Sequence, residues 1–398
     1  MTPRAPAVTA GLDTLLDARA QASEACFAPQ AQRIALLCHA MAERFARGGR
    51  LLAFGDSDVD RSDVAHVTVE FVHPVIVGKR ALPALGIRVE DIGIFAEPDD
   101  MVMVFGRSKS MRAGTILARE AGCLTIAFTP VGAEWELDVP APDPFVAQEL
   151  TETLYHVLWE LVHVFFEHRG LLEGRDRGSS RDSGASSFLY PFLGERESDL
   201  DAVLADVAHT VVAKSAEATA LREQTLREGW PALREVAAGM RARMSAGGRL
   251  LALGNGGSAT DAMDAAADWR TPPRSTGWPP RAALDLTADP AILTAVANDV
   301  GTPAIFTRQI IAHGRPQDTV LALSTSGGSE NVLTALAQAR KMDITTVALV
   351  GYDGGRIEAE GLADHVILTR SEHIPRIQEA QASALHALRQ LIEQPSVR

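Results

Sequence analysis

One eight-residue run occurs twice in this chain, and that recurrence limits the possible folds more than any other feature. Gly48-Gly49-Arg50-Leu51-Leu52-Ala53-Phe54-Gly55 returns as Gly247-Gly248-Arg249-Leu250-Leu251-Ala252-Leu253-Gly254, with Leu replacing Phe as the only change. The correspondence continues downstream. Residues 98–105 (PDDMVMVF) parallel 316–323 (PQDTVLAL), each an acidic turn feeding an apolar run, and 123–129 parallel 344–350. Each copy has a helical lead-in. In the first, Leu15, Leu16, Ile34, Leu37, Met41 and Phe45 fall at three- and four-residue intervals; residues 200–243 repeat the pattern. A recurrence on this scale means one structural unit built twice. Short apolar runs alternating with helical stretches imply parallel strands covered by helices on both faces. A length of 398 residues agrees with two domains. They are expected at 1–172 and 197–398, joined by a flexible linker at 173–196, where Gly, Ser and charge replace any apolar period.

Bulk properties exclude several classes of function. A formal net charge of −13 gives nucleic-acid binding no electrostatic support. No apolar run reaches the roughly 18 residues of a membrane span, and the first 20 residues lack the apolar segment of a secretory signal. Cys26, Cys38 and Cys123 stand at unrelated spacings, so neither a disulfide framework nor a zinc knuckle is expected. A reduced, cytoplasmic setting follows as the expectation.

The second copy carries two loops suited to an anion. Leu250–Leu253 reads as a short buried strand, Gly254-Asn255-Gly256-Gly257-Ser258 as a tight loop, and the following residues as a helix. Glycines let backbone N–H groups approach a ligand closely, and a helix start favours negative charge. Either loop alone also reads as a plain turn with N-cap residues. Ser324-Thr325-Ser326-Gly327-Gly328-Ser329 repeats the arrangement downstream, and the pair points to a phosphate.

With both loops in view, the second copy resembles the phosphoheptose isomerase family of the SIS (sugar isomerase) fold. The matching pieces are GNGGSATDAM, Ala297-Asn298-Asp299-Val300-Gly301, STSGGSENVL, VGYDGG and RIQE followed by a helical His, spread over residues 250–393. The resemblance implies an α/β fold of two tandem SIS domains, each a parallel five-stranded, flavodoxin-like sheet in three α/β/α layers. It makes Asn255, Gly256, Gly257, Ser258, Ser324, Thr325, Ser326 and Ser329 phosphate ligands and brings Asp299 to the sugar hydroxyls. Because the family forms tetramers of single domains, a tandem chain is expected as a homodimer, a pseudo-tetramer of SIS domains.

The family also places His-x-x-x-Glu on one helix, and Gln and His eight residues apart on another, to hold a metal and move protons. The second copy keeps Gln378 and His386 but has Asp264 and Asp268 in place of His and Glu. The first copy shows the opposite loss. Its loops read Gly55-Asp56-Ser57-Asp58 and Gly106-Arg107-Ser108-Lys109, and the acids would repel phosphate. Yet it keeps His66, Glu70, Gln148 and His156 as the metal and acid/base set. The pattern implies an aldose–ketose isomerase of a sugar phosphate, most simply sedoheptulose 7-phosphate, at a site shared between the two domains. Glu70 would be the base, His156 the acid, and the cofactor a divalent ion, zinc by ligand type. A variant keeps all chemistry in the second copy, on Asp264, Asp268, Gln378 and His386. The other class of reading is a non-catalytic SIS protein that binds a phosphosugar or a partner. Pro375, where the family has an acid, marks one further departure.

Overall fold

The structure, a computed structural model, describes residues 10–75, 79–167, 172 and 199–394; the expected linker at 173–196 lies outside the described residues. The first half runs α1 (Ala10–Phe27), α2 (Ala31–Ala46), β1 (Leu51–Phe54), α3 (Asp58–Val72), β2 (Ala84–Gly86), α4 (Ile92–Phe95), β3 (Met101–Val104), α5 (Lys109–Glu120), β4 (Leu124–Ala127), β5 (Trp135–Glu136) and α6 (Pro144–Glu167). The second runs α7 (Leu200–Ser245), β6 (Leu250–Leu253), α8 (Gly257–Arg270), β7 (Ala283–Asp285), α9 (Pro290–Asp299), α10 (Ile305–His313), β8 (Thr319–Ser324), α11 (Glu330–Lys341), β9 (Thr345–Val350), α12 (Gly355–Ala359), β10 (His365–Leu368) and α13 (Ile374–Glu393).

Two five-stranded sheets result, ordered β2-β1-β3-β4-β5 and β7-β6-β8-β9-β10, and every pairing is parallel. The register repeats as well. Leu51 lies between Ala84 and Met101, and Leu250 lies between Ala283 and Thr319. The duplication read from eight residues therefore extends to sheet order and pairing, and the tandem α/β expectation holds.

The compact units are not two continuous halves. Of the described residues, those in Met1–Gln21, Asp143–Glu149 and Glu217–Arg398 form one unit (unit 1), which holds the second sheet. Those in Ala22–Pro142 and Leu150–Ala216 form the other (unit 2), which holds the first sheet. The strands follow the repeat, whereas α1, α6 and α7 each supply residues to both units.

In unit 1 the pleat sorts side chains onto two cores, as a strand period of two requires. Leu250, Ala252, Leu321, Leu323, Val347 and Leu349 pack with Trp230 and Leu233 of α7, Trp269 of α8 and Leu388 of α13. Leu251, Leu253, Val320, Ala322, Ala348 and Val350 pack on the opposite face with Phe306 and Ile310 of α10 and Leu333 and Leu336 of α11. In unit 2, Leu52, Phe54, Val102 and Val104 pack with Met111 and Ala118 of α5.

The amino-terminal edge of each sheet is closed by the same device. Asp100 accepts from the Arg50 backbone N–H (2.8 Å) and from its guanidinium Nε (3.1 Å) and Nη2 (2.7 Å). Asp318 does the same for Arg249, at 2.8, 3.2 and 2.7 Å. Each arginine donates once more, to the carbonyl of Phe95 or of His313. A bidentate ion pair with its carboxylate buried resists opening far better than a surface pair.

Candidate active site

In unit 1 the strand order reverses between β6 and β8, the switch point at whose carboxyl end open parallel sheets bind their ligands. Both loops singled out in the sequence leave these two strands. Gly254 must lack a side chain, because a Cβ would meet the Ser258 carbonyl at 2.2 Å; Gly327 has φ +61° and a Cβ there would meet the Gly354 carbonyl at 2.1 Å. Asn255 and Asn331 tie the loops together by exchanging amide hydrogen bonds of 2.9 and 2.8 Å. Ser324 Oγ accepts from the Gly327 N–H (3.1 Å) and Ser326 Oγ from the Gly328 N–H (3.3 Å). Ser258 and Ser324 are buried, Gly257, Thr325 and Ser329 half-buried, and Asn255, Gly256, Ser326 and Asp299 exposed. Asp299 ends α9 and accepts from Asn298 (2.8 Å).

The starts of α8 and α11 are the decisive local feature. Their N-cap residues, Gly256 and Ser329, make no side-chain capping bond, which leaves the N–H groups of Gly257 and Ser258, and of Glu330 and Asn331, to an anion; the next N–H of each turn, on Ala259 and Val332, donates to the N-cap carbonyl. The corresponding starts in unit 2 are closed. Ser57 Oγ accepts from the Asp60 N–H while Asp60 accepts from the Ser57 N–H, both at 3.0 Å, a complete capping box on α3. Asp56 and Asp60 also press on Gly106 of the second loop, where a Cβ would stand 2.9 and 2.6 Å from their oxygens. Ser108 caps α5 through the Met111 N–H (3.3 Å). In unit 2 the protein's own carboxylate takes the place that an anion takes at an open helix start.

Unit 2 instead holds a cluster of reactive side chains. His66 and Glu70 sit one turn apart on α3, and His156 projects from α6. All three are buried. His66 Nε2 stands 3.3 Å from His156 Nε2 and 4.0 Å from Glu70 Oε1, and the Tyr155 hydroxyl meets His66 Nδ1 at 3.0 Å. Glu70 Oε2 is buried and has no hydrogen-bond partner among the described residues. Two imidazole nitrogens on one tetrahedral ion, at about 2.0–2.1 Å each, lie roughly 3.3 Å apart. The spacing and the orphaned carboxylate oxygen both fit a bound divalent ion.

Unit 1 has a second cluster. Asp264 and Asp268 lie one turn apart on α8 and meet His386 of α13, whose Nε2 is 3.9 Å from Asp264 and 3.5 Å from Asp268. Gln148 falls in this unit and donates to Asp264 (2.6 Å). Its neighbour Glu149 accepts at His386 Nδ1 (2.9 Å), and is itself held by Arg19 (2.9 and 2.7 Å) and Ser383 (2.5 Å).

Known proteins resemble the chain at both levels. A family model described as the SIS domain matches residues 215–351. A phosphoheptose isomerase of Paramagnetospirillum magneticum is 43% identical over 186 residues, which cover 46% of this chain and 92% of that protein. The chain belongs to the phosphoheptose isomerase family. Two solved structures extend the likeness across nearly the whole chain as fold alone. The C-terminal domain of glucosamine-fructose-6-phosphate aminotransferase from Francisella tularensis has a TM-score of 0.58 at 8% identity, covering 96% of this chain and 94% of that one. Tagatose-6-phosphate ketose/aldose isomerase from Escherichia coli has a TM-score of 0.53 at 14% identity, covering 98% and 95%.

Within this family member the two clusters differ electrostatically. Burial pushes the Glu70 carboxyl up to about 7; the His156 charge opposes the rise and Glu160 adds to it. Burial, aided by His156, holds the His66 imidazole well below its usual range and therefore neutral. In unit 1, burial disfavours the His386 imidazolium, but Asp268 and Glu149 outweigh it and push the group up to about 10. Glu149 is held below the carboxylate range: burial opposes ionisation, and Arg19, His386 and Arg222 overcome it. Gln378 is buried on α13, between the ion-paired and buried Arg376 and Glu379.

Tyr155, Asn331, Glu149, Arg19 and Ser383 escaped the sequence reading. Asn331 lies inside the STSGGSENVL run and could have been found there. Glu149 left no local signal, because its partner His386 is 237 residues away.

Proposed function

We propose that the chain interconverts a ketose phosphate and an aldose phosphate, most simply sedoheptulose 7-phosphate and its aldose isomer. The uncapped starts of α8 and α11 against the self-capped α3 and α5 carry this reading: one copy stays open to a phosphate. Hydroxyls of Ser258, Ser324, Thr325, Ser326 and Ser329, with Asn255 and the N–H groups of Gly256 and Gly257, bind the phosphate without a fixed cation. Asp299 takes sugar hydroxyls. Binding energy gained on the remote phosphate orients C1 and C2.

Glu70 removes a proton from C1 and the electron pair moves into a C1–C2 enediol. The proton is then delivered to C2, while His156 relays the hydroxyl proton between O1 and O2. A divalent ion on His66, Glu70 and His156, zinc by donor type, would polarise the carbonyl. In terms of the gene, continuous copies at 1–172 and 197–398 would each have kept what the other lost.

A second reading confines the chemistry to unit 1, and the meeting of Gln148, Asp264, Asp268 and His386 there favours it. Asp264 is seven residues beyond Gly257, about 10 Å along α8 and within the length of a seven-carbon phosphate. To test the isomerase, the full chain is incubated with sedoheptulose 7-phosphate in D2O. Aldose is expected, with deuterium at C2 to the extent that the proton held by Glu70 exchanges with solvent before its return, and the absence of conversion overturns the assignment.

A further inference from the structure

The VGYDGG run at 350–355 has no part in the chemistry proposed above. We propose that this turn is a positioning element for the loop at 324–329, holding its peptide groups so that their N–H groups face a phosphate, a role that rests on the phosphate reading of that loop. The turn leaves β9, the strand paired with β8, and takes up the carbonyl side of the loop. The Gly351 N–H donates to the carbonyls of Ser324 (3.3 Å) and Thr325 (3.0 Å), and the Ile357 N–H to that of Gly327 (3.1 Å). In a planar trans peptide the C=O of one residue and the N–H of the next point in opposite directions. The N–H groups of Thr325, Ser326 and Gly328 are therefore aimed away from the turn. Among the described residues, those of Thr325 and Ser326 reach no backbone carbonyl, and that of Gly328 meets the Ser326 hydroxyl at 3.3 Å.

The two loops approach too closely for side chains between them. A Cβ on Gly351 would stand 2.5 Å from the Thr325 carbonyl oxygen, and one on Gly355, where φ is +54°, 2.3 Å from that of Ser326. Tyr352 holds φ +53°, a costly conformation for a bulky residue, and its N–H is fixed on the Ser371 carbonyl (3.1 Å). Asp353 closes the turn by accepting from the Gly355 N–H (3.0 Å). Unit 2 has neither part. Where 123–129 match 344–350, the next residue is Pro130 in place of Gly351, and proline has no N–H to donate. Five residues separate Leu323 from the N-cap Ser329, but only two separate Phe105 from the N-cap Ser108. The sheet of unit 2 forms with the same strand order all the same, so the clamp serves the long loop and not the sheet.

Titration of the full-length protein with inorganic phosphate by calorimetry, beside turnover of sedoheptulose 7-phosphate, tests this. Gly355→Ala is expected to bind phosphate about tenfold more weakly, the scale of one lost hydrogen bond to a charged group. KM should rise with kcat little changed. Gly361→Ala has the same left-handed backbone (φ +58°) with open space around it, so it should lower the melting temperature and leave phosphate affinity unchanged. Asp353 is exposed, so Asp353→Ala adds no bulk to the core; it should weaken binding about threefold, and Asp353→Asn, which keeps the acceptor, should restore it. Circular dichroism melts establish which variants fold, and Asp353→Ala carries the test if Gly355→Ala does not. Wild-type affinity in folded Gly355→Ala and Asp353→Ala, or an equal loss in Gly361→Ala, overturns the positioning role. A wild type that binds neither phosphate nor the sugar phosphate overturns the phosphate reading beneath it. Binding without turnover, with the variants ranked as expected, supports the clamp and overturns the isomerase alone.

Discussion

The two sheets agree at one edge and disagree at the other. At the amino-terminal edge, Arg50–Asp100 and Arg249–Asp318 repeat bond for bond within about a tenth of an ångström. At the carboxyl edge, α8 and α11 of unit 1 start without a side-chain cap, whereas their counterparts α3 and α5 in unit 2 have a capping box and a capping serine. Interactions that hold a sheet together are needed in every copy. A ligand site is needed only once per chain, so a duplicated unit is free to close its own. On the proposed function, unit 2 closed its site by self-capping: Asp60 accepts the Ser57 N–H that an anion at an open helix start would otherwise take.

The sharpest way to break the comparison is at the reactive clusters. Glu70→Gln is expected to lower kcat about a thousandfold, within the range for a lost general base. Asp268→Asn should lower it less; the reverse ranking in a sugar phosphate assay would move the chemistry to unit 1. Next come the matched staples. Asp100→Asn and Asp318→Asn should each cost about 2–3 kcal/mol by urea denaturation, since each strands an arginine at a sheet edge. Unequal costs would show that the two frames are not equivalent after all.

Unit 2 also carries a buried lysine, which predicts a pH effect. Lys79 donates to the Glu160 carbonyl (2.7 Å), and burial pulls its ammonium down to about 8, with Glu160 opposing. Between about 8 and the ordinary value near 10.4, the folded chain binds fewer protons than the unfolded one. Its contribution to stability therefore rises with pH across that window. Relative to Lys79→Met, the wild type should gain about 2 kcal/mol between pH 8 and 10.5 in chemical denaturation. A constant difference would mean that Lys79 titrates normally.

The smallest effects separate the loops. Ser326→Ala should raise KM about tenfold, the scale of one hydrogen bond to a charged group. Its counterpart Ser108→Ala should leave KM unchanged and cost about 1 kcal/mol of stability, as a lost N-cap does. A KM change in Ser108→Ala would show that the unit 2 loop still touches substrate.

Much of this was readable along the chain, because it depends on neighbours in sequence. Short continuous apolar runs marked the strands, the eight-residue recurrence foretold two sheets of one topology, and the glycine and serine spacing marked both loops. Four-residue spacing put His66 with Glu70, and Asp264 with Asp268, on one helix face each. What the tertiary structure alone decided is which distant residues meet. Gln148 and His156 stand eight apart on α6, about 12 Å of rise, and fall in different compact units. Gln148 thus joins Asp264, while Glu149, without any local signature, orients a histidine 237 residues away. Local spacing determines which face of a helix a side chain shares. Packing of the whole chain determines what that face meets.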